Sequence, residues 1–118
     1  MTLEEAAARL WVLHHRFMAQ SGFEVGSTED MRFNALAMCG EAGEVANVIK
    51  KGWRGDELKK NDLRDELGDV FSYWTHLVTC AGFTFEEVAT RAVRKAGFYI
   101  DELEERRGNS TKAVDKKQ

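Results

Sequence analysis

The chain predicts an all-α fold, a bundle-like arrangement of four antiparallel helices, on three observations. There is no proline in 118 residues, so nothing forces a break in a long helix. Ala, Leu, Glu, Lys and Arg recur throughout, and these have the highest helix propensities. Apolar residues recur at steps of three and four, between short polar stretches that carry glycine. The length suits one domain, assigned to residues 1–107, with 108–118 expected to be a polar, flexible tail.

The first helix opens at Thr2, where Glu5 three residues later completes a capping box. Leu3, Ala7, Leu10, His14 and Phe17 form its seam, which runs to about Gln20. His14 and His15 read as ordinary, partly buried, hydrogen-bonded histidines, because no second His or Cys stands at metal spacing beside them. Residues 21–27 hold two glycines and read as a loop. The second helix begins near Thr28 and stops at Lys50-Lys51-Gly52, where late cations and a following glycine are the expected ending. Trp53 to Lys60 is a polar connection. Asn61 or Asp62 is placed as the cap of a third helix that runs to about Ala81 and is closed by Gly82. Thr84 and Glu87 repeat the capping box, and a fourth helix follows with Phe85, Val88, Ala92, Ala96, Tyr99 and Leu103 inward. It is expected to fray from Arg106.

Composition excludes several classes of function. With 43% hydrophobic and 31% charged residues the chain is of the soluble globular kind, and a net charge of −3 lacks the basic footprint of a nucleic-acid binder. No apolar run approaches the ~18 residues of a membrane span, and no signal-peptide pattern is seen, so a cytoplasmic location is expected. Cys39 and Cys80 fall within helical patterns and read as small buried core residues without metal or redox roles.

Chemistry concentrates in two short words, Glu41-Ala42-Gly43-Glu44 and Glu66-Leu67-Gly68-Asp69. Carboxylates three residues apart on a helix are neighbours on one face, roughly 5 to 6 Å between Cβ atoms. The first pair interrupts the seam Phe33, Ala37, Glu41, Glu44, Val48; the second interrupts Leu63, Glu66, Val70, Tyr73, Leu77, with Asp69 on its edge. Four inward acids without matching bases call for divalent cations. All-oxygen donors favour Mg²⁺, Mn²⁺ or Ca²⁺ over zinc. A short link between the second and third helices makes them antiparallel neighbours, so the two words face each other. Gly40, Gly43 and Gly68 flank the acids and suggest a close approach of backbone, metal or ligand there.

These words resemble those of the all-α nucleoside triphosphate pyrophosphohydrolases, the MazG-like enzymes, whose signature is ExxE followed by ExxD. Gly-Glu-Ala-Gly-Glu-Val, Ile-Lys-Lys and Asp-Glu-Leu-Gly-Asp-Val with Tyr73 beyond carry the likeness, over residues 31–98. The resemblance implies hydrolysis of a (deoxy)nucleoside triphosphate to monophosphate and pyrophosphate with Mg²⁺, Mn²⁺ being a substitute. Glu41, Glu44, Glu66 and Asp69 would hold the metal, and Glu41 would also orient or deprotonate the attacking water. Lys50, Lys51, Arg54 and Lys95 are candidates for the outer phosphates and Tyr73 for the base, with Trp11, Phe17, Trp53 and Trp74 as other aromatics. A homodimer or homotetramer is implied as well. Gly40 stands where some relatives have a further Glu, and Gly97, Phe98 and Tyr99 follow Lys95 where several have Asn or Arg; both departures bear on nucleotide specificity. Two other readings stay open: a non-catalytic nucleotide-binding regulator, and an enzyme like phosphoribosyl-ATP pyrophosphohydrolase. A di-iron protein is disfavoured, since neither word contains Glu-x-x-His.

Overall fold

Thr2 begins the first helix as its sequence requires: its hydroxyl accepts the Glu5 N–H at 3.1 Å, and the Glu5 carboxylate accepts the Thr2 N–H at 3.4 Å. The computed structural model describes residues 1–55 and 57–117, with side chains to residue 109. Its elements are α1 (Leu3–Gln20), α2 (Thr28–Trp53), α3 (Lys60–Cys80) and α4 (Phe85–Lys117). No strand occurs among the described residues. The fold is all-α and bundle-like.

Glycine ends two of these helices for the same reason. Gly22 and Gly82 have φ of +87° and +79°, which lets Phe23 N–H reach back to Met18 C=O at 3.0 Å and Phe83 N–H to Val78 C=O at 3.1 Å. A side chain in that left-handed region costs about 1 to 2 kcal/mol. At the start of α2, Ser27 accepts the Asp30 N–H at 3.2 Å, a cap worth about 1 kcal/mol. The start of α3 differs from expectation. Its N-cap is Lys59, with no side-chain cap bond; Asn61 and Asp62 lie inside the first turn, where Asp62 still favours the positive end of the helix.

The contacts run in opposite order along α2 and α3. Asp30, early in α2, meets His76 and Cys80, late in α3. Glu41 meets Glu66 and Asp69 near the middle of both helices, and Leu58 lies against Gly52 at the turn. The two helices are therefore antiparallel. A Cβ on Gly52 would stand 3.2 Å from Leu58 Cβ, so this turn has little room for any other residue. Helix α1 lies on α3 through rings: Trp11 and His14 stack on His76 at 5.1 and 4.2 Å between centroids.

Residues Met1–Phe83 make one compact unit, and α4 belongs to a second, Thr84–Gln118. Thr84 accepts the Glu87 N–H at 3.1 Å. The helix continues past Arg106 to Lys117, where fraying is expected from the polar sequence; Arg106 pairs with Glu102 one turn back at 2.8 Å. Phe85, Val88 and Leu103 are half-buried as expected, whereas Ala92, Ala96 and Tyr99 are exposed.

The fully buried interior is small. Among the described residues the buried apolar ones are Ala7, Met18 and Val78, accompanied by the polar His14, Asp30, Asn34, Thr75 and His76. The seam of α1 is rotated from the expected one: Met18 is fully buried while Leu3 and Phe17 are exposed. Leu36, Trp53, Val93 and Phe98 are exposed too, Trp53 by 88%. An amphipathic pattern marks a face that gains from cover, and much of that face is open in this chain.

Candidate functional site

Antiparallel pairing brings the two acidic words together. Oxygens of Glu41 on α2 and of Glu66 and Asp69 on α3 lie within 4.8 Å of one another. The expectation of four inward acids is met in part. Glu41 and Glu66 are half-buried, whereas Glu44 and Asp69 are exposed on the rim. Glu66 titrates above the usual carboxylate range: Glu41 is close enough to share a proton with it, burial adds to this, and the charges of Glu41, Asp69 and Glu44 act in the same sense. Burial also raises the Tyr73 phenol, and Glu41 and Asp69 raise it further.

This donor set fits a hard divalent cation. Three carboxylates converge on one point, and the ion pairs described, His76–Asp30 and Arg106–Glu102, involve none of them. Like charges so placed repel unless a proton or a cation intervenes. The flanking glycines have another explanation than close packing, because a Cβ on Gly40, Gly43 or Gly68 would meet nothing within 4 Å. They leave the surface beside the acids open.

Next to the acids is a cavity of about 250 Å³ lined by Leu10, Leu13, His14, Phe17, Asp69, Ser72 and Tyr73. Asp69 and Tyr73 thus belong to both the acidic cluster's surroundings and an apolar recess. Lys50, Lys51 and Arg54 lie exposed at the end of α2, six to ten residues beyond Glu44, roughly 9 to 15 Å along the axis at 1.5 Å per residue. Lys51 lines a separate cavity of about 380 Å³ with Val48, Glu57, Lys59 and Asp62. Lys95 is exposed on α4. Trp11, Trp53 and Trp74 do not line the recess beside Asp69.

A second cluster between α2 and α3 was not anticipated. Asp30, fully buried, accepts from Gly26 N–H at 2.7 Å and Asn34 Nδ2 at 2.6 Å, and its two oxygens lie 3.0 and 3.1 Å from His76 Nε2. Cys80 Sγ is 3.6 Å from Asp30 and 3.4 Å from the same Nε2. Burial pushes the Asp30 carboxyl up, yet Gly26, His76 and Cys80 together hold it below its usual range. Burial first, and the adjacent Asp30 next, lift the Cys80 thiol to about 11. Burial and then His76 lower the His14 imidazole, against smaller opposing effects of Asn34 and Asp30. The sequence held a signal for this cluster in His76-x-x-x-Cys80, one helical turn apart. Two expectations are corrected here. Cys39 is exposed and Cys80 only half-buried, and His14, although buried, leaves Nε2 without a hydrogen bond.

The MazG nucleotide pyrophosphohydrolase domain matches residues 30–98, which include both acidic words. The chain is also 32% identical over 74 residues to the Gene 37 protein of Mycobacterium phage L5, a match covering 58% of this chain and 65% of that protein. No solved structure matches. Since the matched domain takes in more than half of the chain, this protein belongs to the MazG nucleotide pyrophosphohydrolase family.

Proposed function

We propose that the chain hydrolyses (deoxy)nucleoside triphosphates to the monophosphate and pyrophosphate, with Mg²⁺ as cofactor and Mn²⁺ as a substitute. The observation that carries this reading is the convergence of Glu41, Glu66 and Asp69 within 4.8 Å, beside a recess that shares Asp69 and Tyr73 with it. Glu41, Glu66 and Asp69, with Glu44 on the rim, are the residues that would hold the metal. A divalent cation there supplies positive charge to the phosphoryl oxygens and to the leaving pyrophosphate, where an acidic surface alone would repel the substrate.

The remaining roles fall to side chains of the chain itself. Glu41, half-buried and nearest to sharing a proton with Glu66, is the base that orients water and takes its proton as the α–β phosphoanhydride opens. Tyr73 and Phe17 on the walls of the recess receive the base; stacking of that kind is worth about 1 to 3 kcal/mol. Lys50, Lys51, Arg54 and Lys95 are the cations proposed for the outer phosphates. The wide exposed apolar surface supports a homodimer or homotetramer.

The test is pyrophosphate release from a panel of ribo- and deoxyribonucleoside triphosphates with Mg²⁺, with Glu44→Ala as control. Pyrophosphate with equimolar monophosphate, lost in the variant, is expected. Orthophosphate would mean that another bond is cut, and no product from folded protein would favour a binding module.

A further inference from the structure

We propose that Asp30, His76 and Cys80 form a second cation site, selective for a thiophilic divalent ion of the zinc type, that clamps the start of α2 to the end of α3. The three donor atoms, a carboxylate oxygen, an imidazole nitrogen and a thiol sulfur, lie within 4.8 Å of one another. With Asp30 Oδ2 as the oxygen, their separations of 3.1, 3.4 and 3.6 Å are close to the edges of a tetrahedron built on zinc bond lengths, about 3.3 to 3.6 Å. Only the His76–Asp30 edge has to open, by a few tenths of an ångström.

The geometry does not suit the other chemistry such residues perform. In a Cys-His-Asp relay the imidazole uses one nitrogen for the nucleophile and the other for the carboxylate. Here a single nitrogen, His76 Nε2, faces both Asp30 and Cys80, and the opposite Nδ1 is buried without a hydrogen bond. Convergence of three donors on one point from one side of the ring is the arrangement of ligands around an ion.

Charge agrees with this. A carboxylate, a thiolate and a neutral imidazole carry two negative charges, which one divalent cation cancels, so the buried site ends neutral. The soft sulfur and the imidazole select against Mg²⁺, which prefers oxygen. With His76 neutral, binding sends the Cys80 thiol proton to solvent and moves the ring proton from Nε2 to Nδ1, one proton released per cation. Three protein donors leave one coordination position. The ion's role is structural: it would tie residues 46 positions apart in sequence and does not depend on the function proposed above.

The experiment is a Co²⁺ titration of the Cys39→Ser variant in excess Mg²⁺, followed in the ultraviolet and visible. Cys39 is exposed, so this change spares the fold and leaves Cys80 as the sole thiol of the chain. One equivalent of Co²⁺ is expected to give a thiolate charge-transfer band with strong tetrahedral d–d bands, bleached by Zn²⁺ and unchanged by Glu66→Gln. Complete loss of the band in Cys80→Ser completes the assignment. Folded Cys39→Ser without a thiolate band, or a band lost with Glu66→Gln, would overturn it.

Discussion

The helix pair α2 and α3 carries two clusters of polar groups built on opposite terms. Around Asp30 every oxygen has a donor: Gly26 N–H, Asn34 Nδ2 and His76 Nε2 surround a carboxylate with no exposure at all. Around Glu66 the neighbours are further acids, and the side chains stay half-buried or exposed. Three turns of helix separate a carboxylate that serves the fold from carboxylates that the fold leaves in mutual repulsion. The lesson is that the acidic cluster needs a cation or a proton to hold its carboxylates together, whereas Asp30 is held by the chain's own donors with or without the ion proposed for it.

The largest expected effect comes from breaking the satisfied cluster. His76→Ala leaves Asp30 buried and short of its cationic or hydrogen-bonding partner and should cost about 3 to 5 kcal/mol, measured by chemical denaturation. A loss under about 1 kcal/mol would mean that the Asp30 network is far wetter than its burial indicates. Glu66→Gln should act in the reverse way. Without metal it removes repulsion and raises the melting temperature, while activity under the proposed function falls by on the order of a hundredfold or more, since even residues behind a metal ligand are worth about 10 to 100-fold. A variant that is both less active and less stable without metal would erase the contrast.

Tyr73→Ala removes a wall of the recess and should raise KM for the triphosphate by about 5 to 150-fold, the equivalent of about 1 to 3 kcal/mol of stacking. An unchanged KM would move the base elsewhere. The smallest effects are expected from pH, and they have opposite signs. His14 titrates below its ordinary 6.5 when folded, so its contribution is present above that value and is lost as pH falls through the lowered one. Glu66 titrates above its ordinary 4.5, so its contribution is present in acid and is lost as pH rises through the raised value. Melting curves of His14→Phe and Glu66→Gln against the parent should flatten different arms of the pH profile.

Much of this was legible in the sequence because it is local. Thr2 with Glu5, Thr84 and Gly82 announce their caps through bonds that span three to five residues. Both acidic words were visible for the same reason, and their meeting followed from a short connection. What escaped needed three dimensions. The rotation of α1 that buries Met18 in place of Phe17 depends on which side faces α3. His76 gains its meaning only from Asp30, which lies in a different helix, and no periodicity reports the difference between a rim acid such as Glu44 and a half-buried one such as Glu41.

A buried apolar core that among the described residues comes to Ala7, Met18 and Val78 has a consequence for how this protein behaves on dilution. If the exposed faces of α1 and α4 are covered by copies of the chain, part of the folding free energy is supplied by mass action. Each tenfold dilution of a dimer would then withdraw about 1.4 kcal/mol, and the melting temperature would fall with the logarithm of concentration. Stability in such a protein is a property of how much of it is present.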